Sequence, residues 1–131
     1  MGDRVLVRGL TLVYNADSDK LSALVDGARK LLRLKGCTLC SITHGVLGEK
    51  PEWRSCKEEL GVPVRALHRD ELAQPLREAV GDQLPCVLAD TDAGPRIVLG
   101  PQVLERCRGS VADFRGRLKT HAAMKSLALP T

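Results

Sequence analysis

The sequence predicts an α/β fold in which helices cover both faces of a central β-sheet. Short runs rich in β-formers alternate with segments whose apolar residues recur every three or four positions. Proline and glycine stand at the boundaries between these segments. The chain has 131 residues and is 44% hydrophobic, which is enough for one core and too short for two. We therefore expect one domain over residues 1–120 and a basic, frayed tail over residues 121–131.

The N-terminal part of the chain contains the clearest helical pattern. Residues 10–15, LTLVYN, are rich in β-formers and predict a buried strand. The polar residues that follow indicate a helix start, with Asp17 or Ser18 as the cap. An amphipathic helix is predicted next, because apolar residues share one face at Leu21, Leu24, Val25, Ala28, Leu31 and Leu32.

The middle of the chain alternates between strand and helix. Residues 38–42 suggest a second short strand. A helix is predicted from Pro51 to Gly61, since proline favours the first turn and glycine the position after the last. Residues 64–68 alternate as a strand does, and residues 70–80 predict a helix or helical turn that Pro75 interrupts.

The C-terminal part predicts a hairpin followed by a helix. Residues 86–89 and 96–99 are apolar runs joined by a turn-rich segment, which is typical of a β-hairpin. Pro101 opens a last helix that extends to Leu118, weakened by Gly109 and Gly116.

Composition narrows the function. Aromatic residues make up only 2% of the chain, which argues against a protein that stacks nucleic-acid bases. The net charge is +4, and the basic residues are spread along the chain. We therefore expect no nucleic-acid partner. Residues 1–7 carry charges and no long apolar run, so we expect neither a signal peptide nor a membrane span. We therefore expect a cytosolic protein whose five cysteines are mostly reduced.

The densest cluster of soft ligands is residues 36–45, GCTLCSITHG, with Cys37, Cys40 and His44. Thiolates are strong nucleophiles and soft-metal ligands, so any chemistry is expected to start here. In an extended strand, residues three apart are separated by roughly 10 Å, beyond the about 7 Å that a disulfide allows. In a helix or turn, the same three residues would share one face.

The order of the predicted elements resembles the thioredoxin-like fold. The resemblance rests on residues 10–24, on residues 84–88 (LPCVL), and on the hairpin that leads to Gly100 and the last helix. In that family, a proline just before the third core strand is cis and lies beside the active-site cysteines. The resemblance implies this role for Pro85; the alternative is an ordinary trans turn proline.

Within that fold, the chain is loosely similar to the small bacterial DCC-type thiol-disulfide oxidoreductase-like family. In that family, a first strand runs into an aspartate followed by a cysteine pair. Here the corresponding stretch is LVYNADSDKL, where Asp17 fits the pattern. Ser18 and Leu21 stand where the pattern would have its two cysteines, so the redox pair is missing from its usual place.

Three hypotheses remain for the cysteine cluster. Both thiols can be small buried hydrophobes without chemistry. Alternatively, Cys37 or Cys40 is the attacking thiol in thiol/disulfide exchange with a protein thiol or redox partner, and His44 tunes a thiolate as a nearby cation or base. In the third, Cys37, Cys40 and His44 bind zinc, copper or iron with Cys56 or His68 as a further ligand. A module that binds proteins without catalysis is the remaining alternative.

Other candidate residues have simpler structural interpretations. An acid/base or ligand group could form from His68, Asp70 and Glu71. Such a sequence is more often the end of a strand followed by a helix that Asp70 caps. Asp90 and Asp92 favour a plain turn over a cation loop.

Two further thiols and the single tryptophan are assigned to the core. We expect Cys86, Cys107 and Trp53 to be buried structural residues.

The sequence has no phosphate-binding P-loop, no G-x-S-x-G elbow, no C-x-x-C-H haem attachment and no dinucleotide fingerprint.

Overall fold

A computed structural model describes residues 5–15, 38–45 and 48–129 of the chain. These residues form α/β structure, as the sequence predicts. The strands are β1 (Val5–Leu6), β2 (Gly9–Tyr14), β3 (His44–Gly45), β4 (Gly48–Glu49), β5 (Val64–His68), β6 (Cys86–Thr91), β7 (Gly94–Leu99) and β8 (Leu127–Ala128). The α-helices are α1 (Thr38–Thr43), α2 (Pro51–Leu60), α3 (Gln74–Val80), α4 (Pro101–Arg106) and α5 (Val111–Met124). The amphipathic helix predicted over residues 21–32 lies outside the described residues.

A mixed four-stranded sheet in the order β5-β2-β6-β7 organises these elements. The central strand β2 pairs in parallel with β5 and antiparallel with β6. Strands β6 and β7 form the predicted hairpin, and their register runs from Val87 opposite Leu99 to Thr91 opposite Gly94. Two separate two-stranded sheets accompany it: β1 lies parallel to β8, and β3 lies antiparallel to β4.

Side chains of β2 alternate between two hydrophobic clusters, because successive residues of a strand point to opposite faces. Leu10, Leu12 and Tyr14 belong to the larger cluster, which also contains buried residues of α1, α2, α4 and α5. Val13 belongs to a smaller cluster with residues of α3 and β6. All six residues of β2 are buried, so this strand joins both halves of the core.

The predicted strand over residues 38–42 is wrong, because the structure has the helix α1 at this place. Local composition favoured a strand, since β-branched residues prefer extended backbone. Leu39 and Ile42, three positions apart, are both completely buried. A helix places both on one face, and their burial in the larger cluster outweighs the local preference.

The predicted last helix is divided into α4 and α5. The break falls at Arg108 and Gly109, whose φ angles are 51° and 77°. Only glycine adopts this left-handed region without steric cost, and two successive residues there end a helix. A new helix then starts at Ser110, whose hydroxyl accepts a hydrogen bond from the backbone N–H of Asp113.

The fraying expected for residues 121–131 is not found over residues 121–129. Helix α5 continues to Met124, and β8 follows it. The backbone N–H of Val5 donates to Ser126 O at 2.8 Å, and that of Val7 donates to Ala128 O at 2.9 Å. Leu127 is buried in the larger cluster, so both hydrogen bonding and hydrophobic contact hold this segment.

The prediction for the ends of α2 is confirmed, Pro75 starts a helix and does not interrupt one, and the alternative left open for Pro85 is decided. Helix α2 has Pro51 in its first turn and ends at Gly61, which has a φ of 73°. Pro75 lies in the first turn of α3, where its missing N–H costs nothing. The Leu84-Pro85 peptide bond is cis, and Pro85 directly precedes β6.

In the described part of the chain, no helix is long and apolar enough to cross a membrane.

We expect Phe114→Ala to lower the free energy of unfolding by about 3–5 kcal/mol, because a large buried ring is lost. Phe114 is completely buried and packs edge-on against Trp53 at a centroid distance of 5.3 Å. The control is Met124→Ala on the same helix, where the side chain is 71% exposed and the change should stay within about 0.5 kcal/mol. Urea unfolding measures both, and equal losses would contradict this packing.

Candidate functional site

The candidate site lies where the two parallel strands of the sheet end. Tyr14 at the end of β2 and His68 at the end of β5 are partners in the strand register. In open α/β sheets, ligands usually bind outside the carboxyl ends of the strands. The last residue of α1, Thr43, reaches the same place and contacts the Tyr14 hydroxyl.

A chain of hydrogen bonds connects Tyr14, Thr43 and His44. The Tyr14 hydroxyl lies 2.9 Å from Thr43 Oγ1, and Thr43 Oγ1 lies 2.6 Å from His44 Nδ1. Tyr14 and Thr43 are both buried. Burial raises the pKa of Tyr14 to about 12, so its hydroxyl keeps its proton at neutral pH and can donate it in a hydrogen bond.

Counting protons in this chain gives an arrangement that satisfies every contact of Thr43. The Thr43 hydroxyl carries one proton, which it donates to the Leu39 carbonyl at 3.4 Å, and two lone pairs. All contacts of Thr43 are satisfied when Tyr14 donates to one lone pair and His44 Nδ1–H to the other. In this arrangement, His44 Nε2 has no proton and carries a lone pair.

Burial also determines the charge of His44. Loss of solvation lowers the pKa of this imidazole, and nearby Lys57 lowers it too, while nearby Glu49 acts in the opposite direction. His44 is therefore neutral at neutral pH. Of the two roles predicted for His44, cation or base, the structure favours the base.

A second imidazole, that of His68, is held by Glu71. The ring Nδ1 and the backbone N–H of His68 both contact Glu71 Oε1, at 2.5 and 2.7 Å. These hydrogen bonds lower the pKa of Glu71, which is therefore an acceptor, and Nδ1 must be the donor. The ring's other nitrogen, Nε2, is buried and has no hydrogen-bond partner among the described residues. His68 is thus both the predicted strand end and the cap of the 3-10 turn Arg69–Glu71; Asp70 is not the cap.

The two imidazoles lie on the same cavity, which we call the His recess. It has a volume of about 210 Å³ and lies between the sheet and α2. The Tyr14 ring is 6.2 Å from the His44 ring and 5.9 Å from the His68 ring, measured between centroids. The residues that define the recess are Tyr14, His44, Trp53, Lys57, Val64 and His68.

The cysteines divide into two groups. Cys37 and the side chain of Cys40 lie outside the described residues, as do Asp17, Ser18 and Leu21. The backbone of Cys40 is part of α1, and position 40 precedes His44 by about one helical turn.

The other cysteines, Cys56, Cys86 and Cys107, are free and buried, as predicted for Cys86 and Cys107. Burial raises the pKa of all three thiols, for Cys86 to about 12. A protonated, buried thiol is a poor nucleophile. These three cysteines are therefore structural residues.

The proposed metal ligands that the structure describes do not meet. His44 and His68 line the His recess, whereas Cys56 lines a different cavity between α2 and α5. Within residues 5–15, 38–45 and 48–129, no three His, Cys, Asp or Glu side chains are placed to hold a metal ion. A site that includes Cys37 and Cys40 stays a prediction.

The acidic residues of the hairpin have structural partners. Thr11 Oγ1 is 3.1 and 3.2 Å from the two carboxylate oxygens of Asp90, and Arg8 donates to Asp92 at 3.0 Å. Thr11 also accepts a hydrogen bond from Arg65 Nε at 2.9 Å. The turn between the strands is thus a plain hairpin turn, as predicted.

Sequence reasoning missed Tyr14 and Thr43 as members of the site. Tyr14 was interpreted only as a strand residue, although a buried tyrosine hydroxyl usually finds a hydrogen-bond partner. That rule signals a partner without naming it, because Thr43 is 29 positions away in the chain.

Comparisons with known proteins found no match for this chain. No protein-family model matches, and neither the curated proteins nor the solved structures contain a significantly similar one.

We expect a double-mutant cycle of Tyr14→Phe and Thr43→Val to give a coupling of about 0.5–1.5 kcal/mol in the free energy of unfolding. The reason is the buried hydrogen bond between the two hydroxyls. Each single variant and the double variant are unfolded in urea at one pH. Strictly additive losses would mean that the two hydroxyls do not interact.

The lowered pKa of His44 predicts how stability depends on pH. The unfolded chain protonates this residue near its ordinary pKa of 6.5, whereas the folded protein does so only at lower pH. Below about pH 6.5, the unfolded state therefore binds more protons, and the free energy of unfolding falls as the pH falls. Urea unfolding at pH 8 and pH 5.5 should show a smaller loss for His44→Gln than for the unsubstituted protein; an equal or larger loss would contradict the burial of a neutral imidazole.

Proposed function

We propose that this protein is a thioredoxin-like thiol-disulfide exchange protein whose reactive pair is Cys37 and Cys40. Three features support the comparison with that fold. The sheet is mixed, with helices packed on both of its faces, and α4 and α5 follow the hairpin of β6 and β7. Pro85 is cis and stands before the third strand of the four-stranded sheet, which is the position that the resemblance implies.

The observation that carries the proposal is the helical backbone of residues 38–43. An extended strand would have held the two thiols too far apart for a disulfide. Helical geometry places positions three apart within one turn of each other, inside the about 7 Å between Cα atoms that a disulfide allows. The helix begins at Thr38, directly after Cys37, and contains Cys40.

His44 supplies the base that such chemistry needs. Thiolates, not thiols, attack disulfides, so a neutral imidazole close to a cysteine promotes the reaction by accepting the thiol proton. Thr43 and Tyr14 hold His44 about one turn after Cys40. We therefore assign Cys40 as the attacking thiol.

The exchange reaction requires no group beyond the two cysteines and a partner disulfide. Cys40 thiolate attacks one sulfur of the partner's disulfide, forms a mixed disulfide, and releases the other sulfur as a thiolate. Cys37 then attacks the sulfur of Cys40 and releases the second partner thiolate. Two electrons and two protons pass from this chain to the partner, and Cys37 and Cys40 end as a disulfide.

A soft-metal site is the second candidate, and one observation favours it. Both imidazoles have Nδ1 bonded to an oxygen, that of Thr43 or that of Glu71, which leaves Nε2 available. Metal-ligating histidines are usually held in this way. In this version Cys37, Cys40 and His44 would bind zinc, copper or iron. His68 would be the fourth ligand, because Cys56 faces another cavity.

We expect native alkylation with iodoacetamide at pH 7.5 to modify Cys37 and Cys40 at least about tenfold faster than the other cysteines, because only thiolates react readily. Cys56, Cys86 and Cys107 are matched internal controls, since all three are buried with a raised pKa. Peptide mass spectrometry measures each rate. In urea all five should react at similar rates.

Variants and redox buffers decide between the candidates. Under an oxidising glutathione ratio, Cys37 and Cys40 should form one disulfide, which Cys40→Ser abolishes. His44→Gln should slow alkylation of Cys40, because the base is lost. If Cys37 and Cys40 stay reduced and unreactive in the folded protein, the exchange function is wrong. Stoichiometric zinc, copper or iron that Cys40→Ser removes would favour the metal site.

A further inference from the structure

We propose that the His recess binds a small, neutral, one-ring hydroxyl compound, such as a phenol, whose O–H donates to His68 Nε2. This site goes beyond thiol exchange, because none of its contacts involves a cysteine. The proposal depends on one unpaired acceptor, on the size of the recess, and on the pairing of the charges around it.

The unpaired acceptor is the first step. His68 Nε2 is buried and has no partner in the described part of the chain. An unsatisfied buried acceptor is costly and rare in folded proteins, so each one needs an explanation. In the neutral ring the single N–H is the one on Nδ1 that Glu71 accepts, so Nε2 then carries a lone pair, and a ligand that binds there must donate.

Size and lining indicate a single ring. An apolar cavity of about 150 Å³ can hold benzene, and the recess has about 210 Å³. Its wall includes the rings of Tyr14 and Trp53 and the side chain of Val64. Aromatic rings pack well edge-on or offset against such surfaces.

The charged groups around the recess already have partners, which favours a neutral ligand over an ion. Lys57 Nζ is 2.8 Å from the Glu49 carboxylate and lies over the Trp53 ring at 5.9 Å from its centroid. Arg65, on the neighbouring strand edge, donates to Thr11. An anion bound at Lys57 would have to displace Glu49, whereas a neutral hydroxyl compound leaves this pair and the Arg65 hydrogen bond to Thr11 intact.

Phenol and anisole are the matched probes, because they share a ring and an oxygen, but only phenol has an O–H. Each is titrated into the ¹⁵N-labelled protein while the indole N–H of Trp53, the only tryptophan, is followed by NMR. We expect a saturable shift with phenol and an affinity about tenfold lower with anisole, which cannot donate to Nε2.

Two variants assign the preference to His68. His68→Phe keeps a ring without the acceptor and should reduce phenol binding to the anisole level. The control, His121→Gln on α5, lies outside the recess and should bind phenol as the unsubstituted protein does. If His68→Phe does not fold, the phenol and anisole comparison on the unsubstituted protein still decides the question.

Several outcomes would overturn the proposal. These are equal affinities for phenol and anisole, a Trp53 signal that does not respond to phenol, and a phenol preference that persists in folded His68→Phe. A crystal structure with phenol present that shows only water or a metal ion on Nε2 would also overturn it. Thiol alkylation rates test the exchange function separately, so failure of one proposal leaves the other measurable.

Discussion

The pairing of β2 with β5 on one side and β6 on the other is the constraint on which the rest of the structure depends. All of β2 is buried, and its alternating side chains enter both hydrophobic clusters. The parallel register with β5 places Tyr14 beside His68, and the larger cluster holds α1 so that Thr43 meets the Tyr14 hydroxyl. A shift of one residue in this register would turn Tyr14 to the opposite face of the sheet. The site therefore exists because the sheet has this one alignment.

Much of the fold could be predicted from local sequence, because strong signals agree with the final structure. Pro51 and Gly61 delimit α2 within one residue, and the hairpin of β6 and β7 follows from two apolar runs and a turn. The segment 38–42 was predicted incorrectly, since β-branched residues favour a strand locally while burial of Leu39 and Ile42 favours a helix. The strand at Leu127 also depends on a contact distant in the chain, since Leu127 pairs with Val5.

The candidate site shows the same division between local and distant information. His44 could be predicted as a site residue because it stands four positions after Cys40. His68 could be predicted as one because it lies at the end of a predicted strand, beside acidic residues. Their environments could not be predicted, since Tyr14 and Trp53 approach them only through tertiary packing. Burial then decides the chemistry: it keeps His44 neutral, keeps the proton on Tyr14, and makes three of the five cysteines poor nucleophiles.

The parallel pair of β1 and β8 joins residues about 120 positions apart, Val5 with Leu127 and Leu6 with Ala128. During synthesis on the ribosome, β1 has no partner until the residues of β8 have been translated. Contacts of such long sequence separation form slowly, because closing a large loop costs entropy before the contact repays it. Among the described strand pairs this one has the longest sequence separation, so the edge of β1 stays unpaired, and open to wrong partners, for longer than that of any other described strand.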